Sequence, residues 1–301
     1  ESFKNLTVEH EKLITELKNP NTENLDILTV MDILKEMNKE DESVILEIRK
    51  SLPELEKAIN ICISNLLKGG RIIYIGAGTS GRLGVLDAAE CYPTFGTDKV
   101  IGIIAGGEAA FLKAIEGAED SEELAKKDLF NINIKPSDTV IGIAASGRTP
   151  YVIGGLEYAN SIGVDTISIS CNLNSKISKY SKAAIEVNCG PEILTGSTRL
   201  KAGTAQKMIL NMISTISMIK IGKVYNNLMV DLVATNKKLE ERSKQILIEA
   251  TGVTYEEAEE TLALANGNVK QSIVMLLKNC SLSEAIKSLE KSNGFIRDAI
   301  K

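Results

Sequence analysis

The sequence contains a single histidine, His10, and none of its five cysteines is spaced as C-x-x-C. With one histidine, neither a Ser-His-Asp triad nor a histidine-rich metal site is expected, so we predict no bound metal. An odd number of cysteines without close pairs argues against a disulfide framework and predicts reduced thiols in a cytoplasmic protein. The five cysteines are Cys62, Cys91, Cys171, Cys189 and Cys280.

Long apolar runs and strong charge are also lacking. No run approaches the roughly 18 apolar residues of a membrane span, and the first residues show no signal-peptide pattern, so we expect no membrane association. The net charge of −5 and the absence of a lysine–arginine cluster give no indication of nucleic-acid binding. We therefore expect the partners to be small molecules or other protein chains.

A glycine-rich turn within residues 72–82 is the strongest local pattern. Four apolar residues predict a short buried strand, three glycines follow, and residues 83–89 have helical spacing. This arrangement forms an anion site, because glycines let the backbone approach closely and a helix start offers unpaired N–H groups. The glycines also satisfy the G-x-G-x-x-G pattern of dinucleotide-binding folds, a weak indicator alone. The hydroxyls of Thr79 and Ser80 favour a small phosphate monoester instead.

Short apolar segments alternate with helical segments through the middle of the 301-residue chain, which predicts an α/β fold with a parallel sheet. The predicted strands are residues 72–75, 100–105, 139–144, 165–170 and 184–188. The predicted helices that follow the later strands are residues 109–118, 150–161 and 202–221. The last of these is apolar on nearly every face and is expected in the core or at a subunit interface.

The two ends of the chain have helical patterns only. Residues 1–50 have the pattern of polar amphipathic helices, with a break at Pro20 and a new helix beginning at Thr29. From about residue 239 onward no strand is expected, and two capping-box patterns begin at Thr254 and Ser281. We therefore predict N-terminal helices plus the α/β domain over residues 1–238, and a small all-helical, UBA-like domain over residues 239–301.

Two further segments repeat the hydroxyl-rich chemistry of the first turn. Residues 144–149 (Ala-Ala-Ser-Gly-Arg-Thr) also follow a strand and precede a helix, and residues 195–204 open the long helix with more hydroxyls and two cations. One Ser-Gly-x-Thr segment is often only a helix cap, but three such segments predict a cradle for a sugar phosphate. The candidate substrate-binding residues are Gly78, Thr79, Ser80, Ser146, Gly147, Arg148, Thr149, Ser197, Thr198 and Lys201.

Long motifs closely resemble the N-acetylmuramic acid 6-phosphate etherase family, whose members carry a sugar isomerase (SIS) domain related to glucokinase regulatory protein. They include Gly76-Ala-Gly-Thr-Ser-Gly-Arg-Leu83, Asp87-Ala-Ala-Glu-Cys91, Glu116-Gly-Ala-Glu-Asp120, Gly142-Ile-Ala-Ala-Ser-Gly-Arg-Thr-Pro-Tyr151 and Lys201-Ala-Gly-Thr-Ala-Gln-Lys207. The resemblance implies a flavodoxin-like, SIS-type parallel sheet flanked by helices, and a homodimer.

The resemblance also implies a lyase that cleaves the D-lactyl ether of N-acetylmuramic acid 6-phosphate. The products would be N-acetylglucosamine 6-phosphate and D-lactate, formed by elimination and then addition of water, with no cofactor. The two catalytic carboxylates of the family match Glu90 and Glu119 of this sequence. By the family's assignment, Glu90 protonates the departing lactate and Glu119 takes the C2 proton.

Two other functions remain open at this point. A regulatory protein that senses a sugar phosphate would need only the phosphate cradle, whereas the presence of both Glu90 and Glu119 favours an enzyme. An aldose–ketose isomerase could use the same fold but would release no lactate. Assay of D-lactate release from the phosphorylated sugar separates the etherase from both alternatives.

Overall fold

The computed structural model describes residues 13–301, so His10 lies outside the described residues. Contacts within the chain divide it into two compact units. The first unit comprises the described residues up to Ala88 together with Lys99–Ile213, and the second comprises Ala89–Asp98 and Ser214–Lys301. The predicted domain boundary at residue 238 stays a prediction.

A five-stranded parallel sheet forms the centre of the first unit, which confirms the predicted α/β class. Its strands are β1 (Ile72–Gly76), β2 (Val100–Ile104), β3 (Thr139–Ile143), β4 (Asp165–Ser170) and β5 (Ala183–Glu186). The order β2-β1-β3-β4-β5 is flavodoxin-like, as predicted. Every residue of β1 and β3 is buried, as is usual when helices cover both faces of a parallel sheet.

Within residues 13–301, seven helices accompany the sheet strands, and two of them, α3 and α7, contribute residues to both units. They are α1 (Val30–Lys50), α2 (Leu52–Leu67), α3 (Gly78–Phe95), α4 (Ala109–Leu112), α5 (Glu122–Asn131), α6 (Pro150–Ser161) and α7 (Lys201–Lys220). The predicted start of α1 is confirmed, because the Thr29 side chain accepts a hydrogen bond from the Asp32 backbone N–H. Ile73, Ile75 and Tyr151 lie in one buried apolar cluster, together with Leu129 and Leu156.

Two local predictions were wrong, and one helix was not predicted. The helix predicted over residues 109–118 is the single turn α4, because the backbone of Lys113 is extended. The next helix, α5, was not predicted, since its polar sequence buries only Ala125 and Leu129. Near the N-terminus, residues 13–28 form two 3-10 turns, Ile14–Glu16 and Leu25–Ile27, instead of an α-helix.

The second unit contains a short hairpin and a group of helices. The hairpin pairs β6 (Val224–Tyr225) with β7 (Leu228–Met229) and was not predicted. The helices are α8 (Lys237–Thr251), α9 (Tyr255–Leu264), α10 (Val269–Lys278), α11 (Leu282–Lys291) and α12 (Ile296–Ala299). Both predicted capping boxes, at Thr254 and Ser281, are confirmed. Within residues 13–301, no helix is both long and apolar enough to span a membrane.

Candidate active site

The turn after β1 leads directly into α3, which begins at Gly78 rather than at the predicted residue 83. The chain doubles back so tightly that a Cβ on Gly81 would lie 2.7 Å from the Gly76 carbonyl oxygen. Gly78, Thr79 and Ser80 therefore form the first turn of a helix, where backbone N–H groups and the helix dipole favour an anion.

The turn after β3 lies next to this one. The last residues of β1 and β3, Gly76 and Ile143, are register partners, so both turns begin at the same edge of the sheet. The chain order reverses between β1 and β3, and in open parallel sheets such a switch point is where ligands bind. The structure thus brings the first two predicted hydroxyl-rich segments together.

Residues 146–149 form a tight turn with two hydroxyl side chains. Gly147 has φ +70°, and a Cβ there would lie 2.2 Å from the Ser175 Oγ, so only glycine fits. The Arg148 N–H donates to the Ser146 Oγ at 3.2 Å. Thr149 occupies the N-cap position of α6, but its side chain makes no capping hydrogen bond. The Thr149 hydroxyl is therefore not used as an ordinary helix cap.

The third predicted segment has an internal anion of its own. The buried carboxylate of Glu192 accepts hydrogen bonds from the backbone N–H groups of Lys201 and Ala202, each at 2.9 Å, at the start of α7. Burial raises the pKa of Glu192, although these two N–H groups and the Lys201 charge oppose the shift. Ser197 and Thr198 lie in the turns just before this helix start and are partly exposed.

Lys201 is buried and paired with an acidic residue of α1. Its Nζ lies 2.6 Å from the Glu40 Oε2, and only 4% of the Lys201 side chain is exposed. Burial raises the pKa of Glu40, but the hydrogen bond and charge of Lys201 outweigh it and leave that pKa lowered. The predicted contact of Lys201 with substrate thus competes with an ion pair already present.

Glu119 lies in a cleft at the carboxyl end of β1. The cleft has a volume of about 310 Å³ and is lined by Ala77, Gly78, Arg82, Ala105, Ala110, Ala114, Ile115, Glu116, Gly117, Ala118, Glu119 and Asp120. Glu119 belongs to a 3-10 turn, Ala118–Asp120, and its side chain is exposed. The predicted base is thus in the same cleft as Gly78, the first residue of α3.

Glu90, the other predicted catalytic carboxylate, lies further along α3 and is exposed. One helical turn before it, Asp87 accepts a hydrogen bond from the Tyr74 hydroxyl at 2.7 Å. With its amide oriented to satisfy both ends, Asn211 donates to Asp87 at 3.0 Å and accepts from the Lys207 Nζ at 2.8 Å. These contacts fix the part of α3 that precedes Glu90 against β1 and α7.

Gln206 contacts a candidate site residue and was not predicted from the sequence. Its Oε1 accepts a hydrogen bond from the Ser80 hydroxyl at 2.9 Å, and both side chains are buried. Among residues 13–301, the Gln206 Nε2 has no hydrogen-bond partner. A buried amide with a free donor beside a predicted phosphate ligand is unusual, because buried polar groups are nearly always satisfied.

The sheet order and the hydroxyl-rich turns at its switch point define the chain as an SIS-fold protein. Residues 54–160 match the glucokinase regulatory protein N-terminal SIS domain, and residues 118–216 match the SIS domain. Phosphoheptose isomerases from Neisseria gonorrhoeae and Francisella tularensis share the fold. The Neisseria protein has a TM-score of 0.51 at 18% identity, and the match covers 63% of this chain and 98% of that protein. The Francisella protein has a TM-score of 0.52 at 15% identity, with 64% of this chain and 100% of that protein covered.

Relatives along nearly the whole chain identify the family. An N-acetylmuramic acid 6-phosphate etherase from Bacillus cereus (strain AH820) is 60% identical over 292 residues, which cover 96% of this chain and 99% of the relative. One from Bacillus anthracis is 59% identical with the same coverage. The chain belongs to the N-acetylmuramic acid 6-phosphate etherase family. This confirms the predicted family and enzyme class and favours the enzyme over the regulatory alternative.

Proposed function

We propose that this chain cleaves the D-lactyl ether of N-acetylmuramic acid 6-phosphate, giving N-acetylglucosamine 6-phosphate and D-lactate. The observation that carries the proposal is that Glu119 shares a cleft with Gly78, in the first turn of α3. A carboxylate within reach of an anion-binding helix start can act on a sugar whose phosphate is bound there. The names of the full-length relatives support the same reaction.

The chemistry needs one base and one acid. In the ring-opened sugar C1 is an aldehyde, which acidifies the C2 proton and makes the lactyl oxygen on C3 a β leaving group. Glu119 takes the C2 proton, the C3–O bond breaks, and Glu90 protonates the departing oxygen, so that D-lactate and an unsaturated aldehyde form. Water then adds its oxygen to C3 while C2 regains a proton, which gives N-acetylglucosamine 6-phosphate.

The phosphate is held at the two neighbouring turns. Ser80, Ser146 and Thr149 supply hydroxyl groups, with Ser197 and Thr198 contributing from the third segment. The helix starts of α3 and α6 add backbone N–H groups and dipoles, which stabilise a phosphate without a counter-ion. The remaining candidates Gly78, Thr79, Gly147, Arg148 and Lys201 complete the proposed substrate site.

A lactate assay tests this function. The protein is incubated with N-acetylmuramic acid 6-phosphate, and D-lactate is measured with and without a metal chelator. We expect equal release in both samples, because two carboxylates suffice and no group of three or more metal-ligating side chains occurs in residues 13–301. A regulatory protein would bind the sugar without releasing lactate, and loss in chelator restored by a divalent ion would contradict the proposed mechanism.

We further propose a cytoplasmic homodimer that acts in recycling of peptidoglycan sugars. All five cysteines are free, which supports a reducing compartment. In α7, Ile216 and Ile219 are 37% and 40% exposed, which supports an interface near this helix. Within the chain, residues 1–238 would bind substrate and residues 239–301 would form the helical domain. A monomeric mass by light scattering at working concentrations would refute the dimer.

A further inference from the structure

The cleft that contains Glu119 is strongly acidic. Glu116, Glu119 and Asp120 all line it, and Arg82 is the one cationic side chain among the described residues of its wall. The proposed substrate carries two separate anions, a phosphate on C6 and the carboxylate of the lactyl group on C3. Three carboxylates would repel the lactyl carboxylate unless a cation offset them.

Arg82 is held in place by backbone carbonyl groups rather than by an acid. Its Nε donates to the Phe111 carbonyl oxygen at 2.8 Å and its Nη2 donates to the Ala110 carbonyl oxygen at 3.1 Å. Within residues 13–301, no carboxylate forms an ion pair with Arg82. No ion pair therefore offsets the positive charge of Arg82, and more than half of its five N–H donors remain available.

The position of Arg82 suits a group on C3 of a sugar whose C6 phosphate is bound at the start of α3. It lies on α3 four residues after Gly78, which is one helical turn or about 6 Å further along the helix axis than the first residue of the proposed phosphate site. A planar guanidinium fixed by two hydrogen bonds is well arranged to bind a carboxylate through its remaining donors, because the geometries match.

We propose that Arg82 binds the lactyl carboxylate and thereby makes the site specific for sugar phosphates that carry this group. The inference rests on the proposed ether cleavage. It assigns Arg82 a role in binding and none in proton transfer. Loss of Arg82 should therefore weaken the binding of ligands that carry the carboxylate and leave the binding of ligands without it unchanged.

The test compares two ligands in two proteins. N-acetylmuramic acid 6-phosphate has both anions, whereas N-acetylglucosamine 6-phosphate has only the phosphate. For Arg82→Gln we expect KM for the first ligand to rise about 10- to 100-fold, the usual effect of losing charged hydrogen bonds. The inhibition constant of the second should change by about twofold or less. Lys113→Gln, which removes a nearby exposed charge, is the matched control and should change neither.

A second comparison does not depend on the folding of the variant. In the wild-type protein, replacing the lactyl carboxylate by a carboxamide should weaken binding by a similar factor, about 10- to 100-fold. Equal weakening of both sugar phosphates by Arg82→Gln, or no effect of the carboxamide, would overturn the inference. Failure of the wild-type protein to release D-lactate would instead refute the proposed function, so the two failures are distinguishable.

Discussion

Ser80 and Gln206 are 126 positions apart in the sequence, yet the Ser80 hydroxyl donates a hydrogen bond to the Gln206 Oε1 at 2.9 Å. An amide oxygen only accepts, so the Ser80 proton is directed at Gln206 and is not available to a phosphate. Rotation of the amide by half a turn would place the unpartnered Nε2 against the Ser80 oxygen. The Ser80 proton would then be free to donate to the phosphate.

The first prediction tests this amide reorientation. Gln206→Glu offers Ser80 only acceptors, so Ser80 would stay directed away from the ligand. We expect affinity for N-acetylglucosamine 6-phosphate to fall about 10- to 100-fold by calorimetry. The double variant Gln206→Glu/Ser80→Ala should lose no more affinity than the more damaging single variant, because the two residues act through one hydrogen bond. Gln271→Glu on α10 is the matched control, and unchanged affinity in Gln206→Glu would refute the idea.

The second prediction separates ligand binding from helix capping at Thr149. Its side chain makes no capping bond, so Thr149→Ala should lower the free energy of unfolding by only a few tenths of a kcal/mol. Thr254→Ala breaks a complete capping box and should cost about 0.5–2 kcal/mol in a urea titration. Affinity for the phosphate should follow the reverse order, because Thr149→Ala should weaken binding more than Thr254→Ala does. Ser146→Ala should lose about 1.5–3 kcal/mol of binding free energy.

The third prediction concerns stability at low pH. Asp138 is buried and accepts hydrogen bonds from the Arg71 backbone and guanidinium and from the Lys135 backbone N–H, just before β3. Burial raises the pKa of Asp138, but these bonds and the Arg71 charge outweigh it and leave the pKa lowered. Because its pKa is lower in the folded protein, Asp138 stabilises the fold at pH values above the pKa of an unfolded aspartate, about 3.9. This stabilisation is lost as the pH falls through the pKa of Asp138 in the folded protein.

Asp138→Asn should therefore destabilise the protein most at neutral pH. We expect a loss of about 3 kcal/mol at pH 7, because Arg71 is left without its partner. The difference from wild type should narrow below about pH 4 in urea titrations. A difference that stays constant down to about pH 3 would show that the charge of Asp138 is not the cause. Asp165→Asn should lower the free energy of unfolding by less, because Asp165 pairs with the exposed Lys182.

The fourth prediction asks whether Lys201 contacts substrate or only Glu40. If its role is the ion pair, Lys201→Met and Glu40→Gln should weaken sugar 6-phosphate binding to the same small extent. Both should destabilise the fold, because each leaves a largely buried partner unpaired. If Lys201 also binds phosphate, Lys201→Met should weaken binding about tenfold more than Glu40→Gln. Because Lys201 belongs to the proposed substrate site, we expect the larger loss of affinity for Lys201→Met by calorimetry, and equal losses would show that Lys201 only pairs with Glu40.

The parts of the fold with local sequence signals were predictable. The capping boxes at Thr254 and Ser281 depend on residues three positions apart, and both formed as predicted. Helix α5 was missed because only Ala125 and Leu129 are buried, too few for a clear apolar stripe. In the same region, nothing in the sequence indicated that Lys113 would be extended and end α4 after one turn.

The partners within the site were less predictable than the site's location. Hydroxyl groups at strand ends indicated where a phosphate would lie, because the turn chemistry is local. The pairing of Ser80 with Gln206 and of Lys201 with Glu40 joins residues 126 and 161 positions apart. Such contacts are set by how helices pack on the sheet, and a single sequence contains no periodic signal for them.

In the proposed mechanism Glu119 is the base at C2 and Glu90 is the acid at the C3 ether. Exchange of the C2 proton with solvent requires only the base, whereas release of lactate requires both, since an unprotonated alkoxide is a poor leaving group. Each substitution should cost on the order of 10²–10⁴-fold in the step it affects. Glu108→Gln, an exposed carboxylate before α4, is the matched control and should alter neither step.

Deuterium incorporation at C2, followed by NMR in D₂O alongside lactate release, measures the two steps directly. We predict that Glu119→Gln loses both exchange and lactate release, whereas Glu90→Gln loses lactate release but keeps some exchange. Exchange retained in Glu119→Gln and lost in Glu90→Gln would mean that the two roles are reversed. If neither substitution slows either step, the mechanism with two glutamates is wrong for this protein.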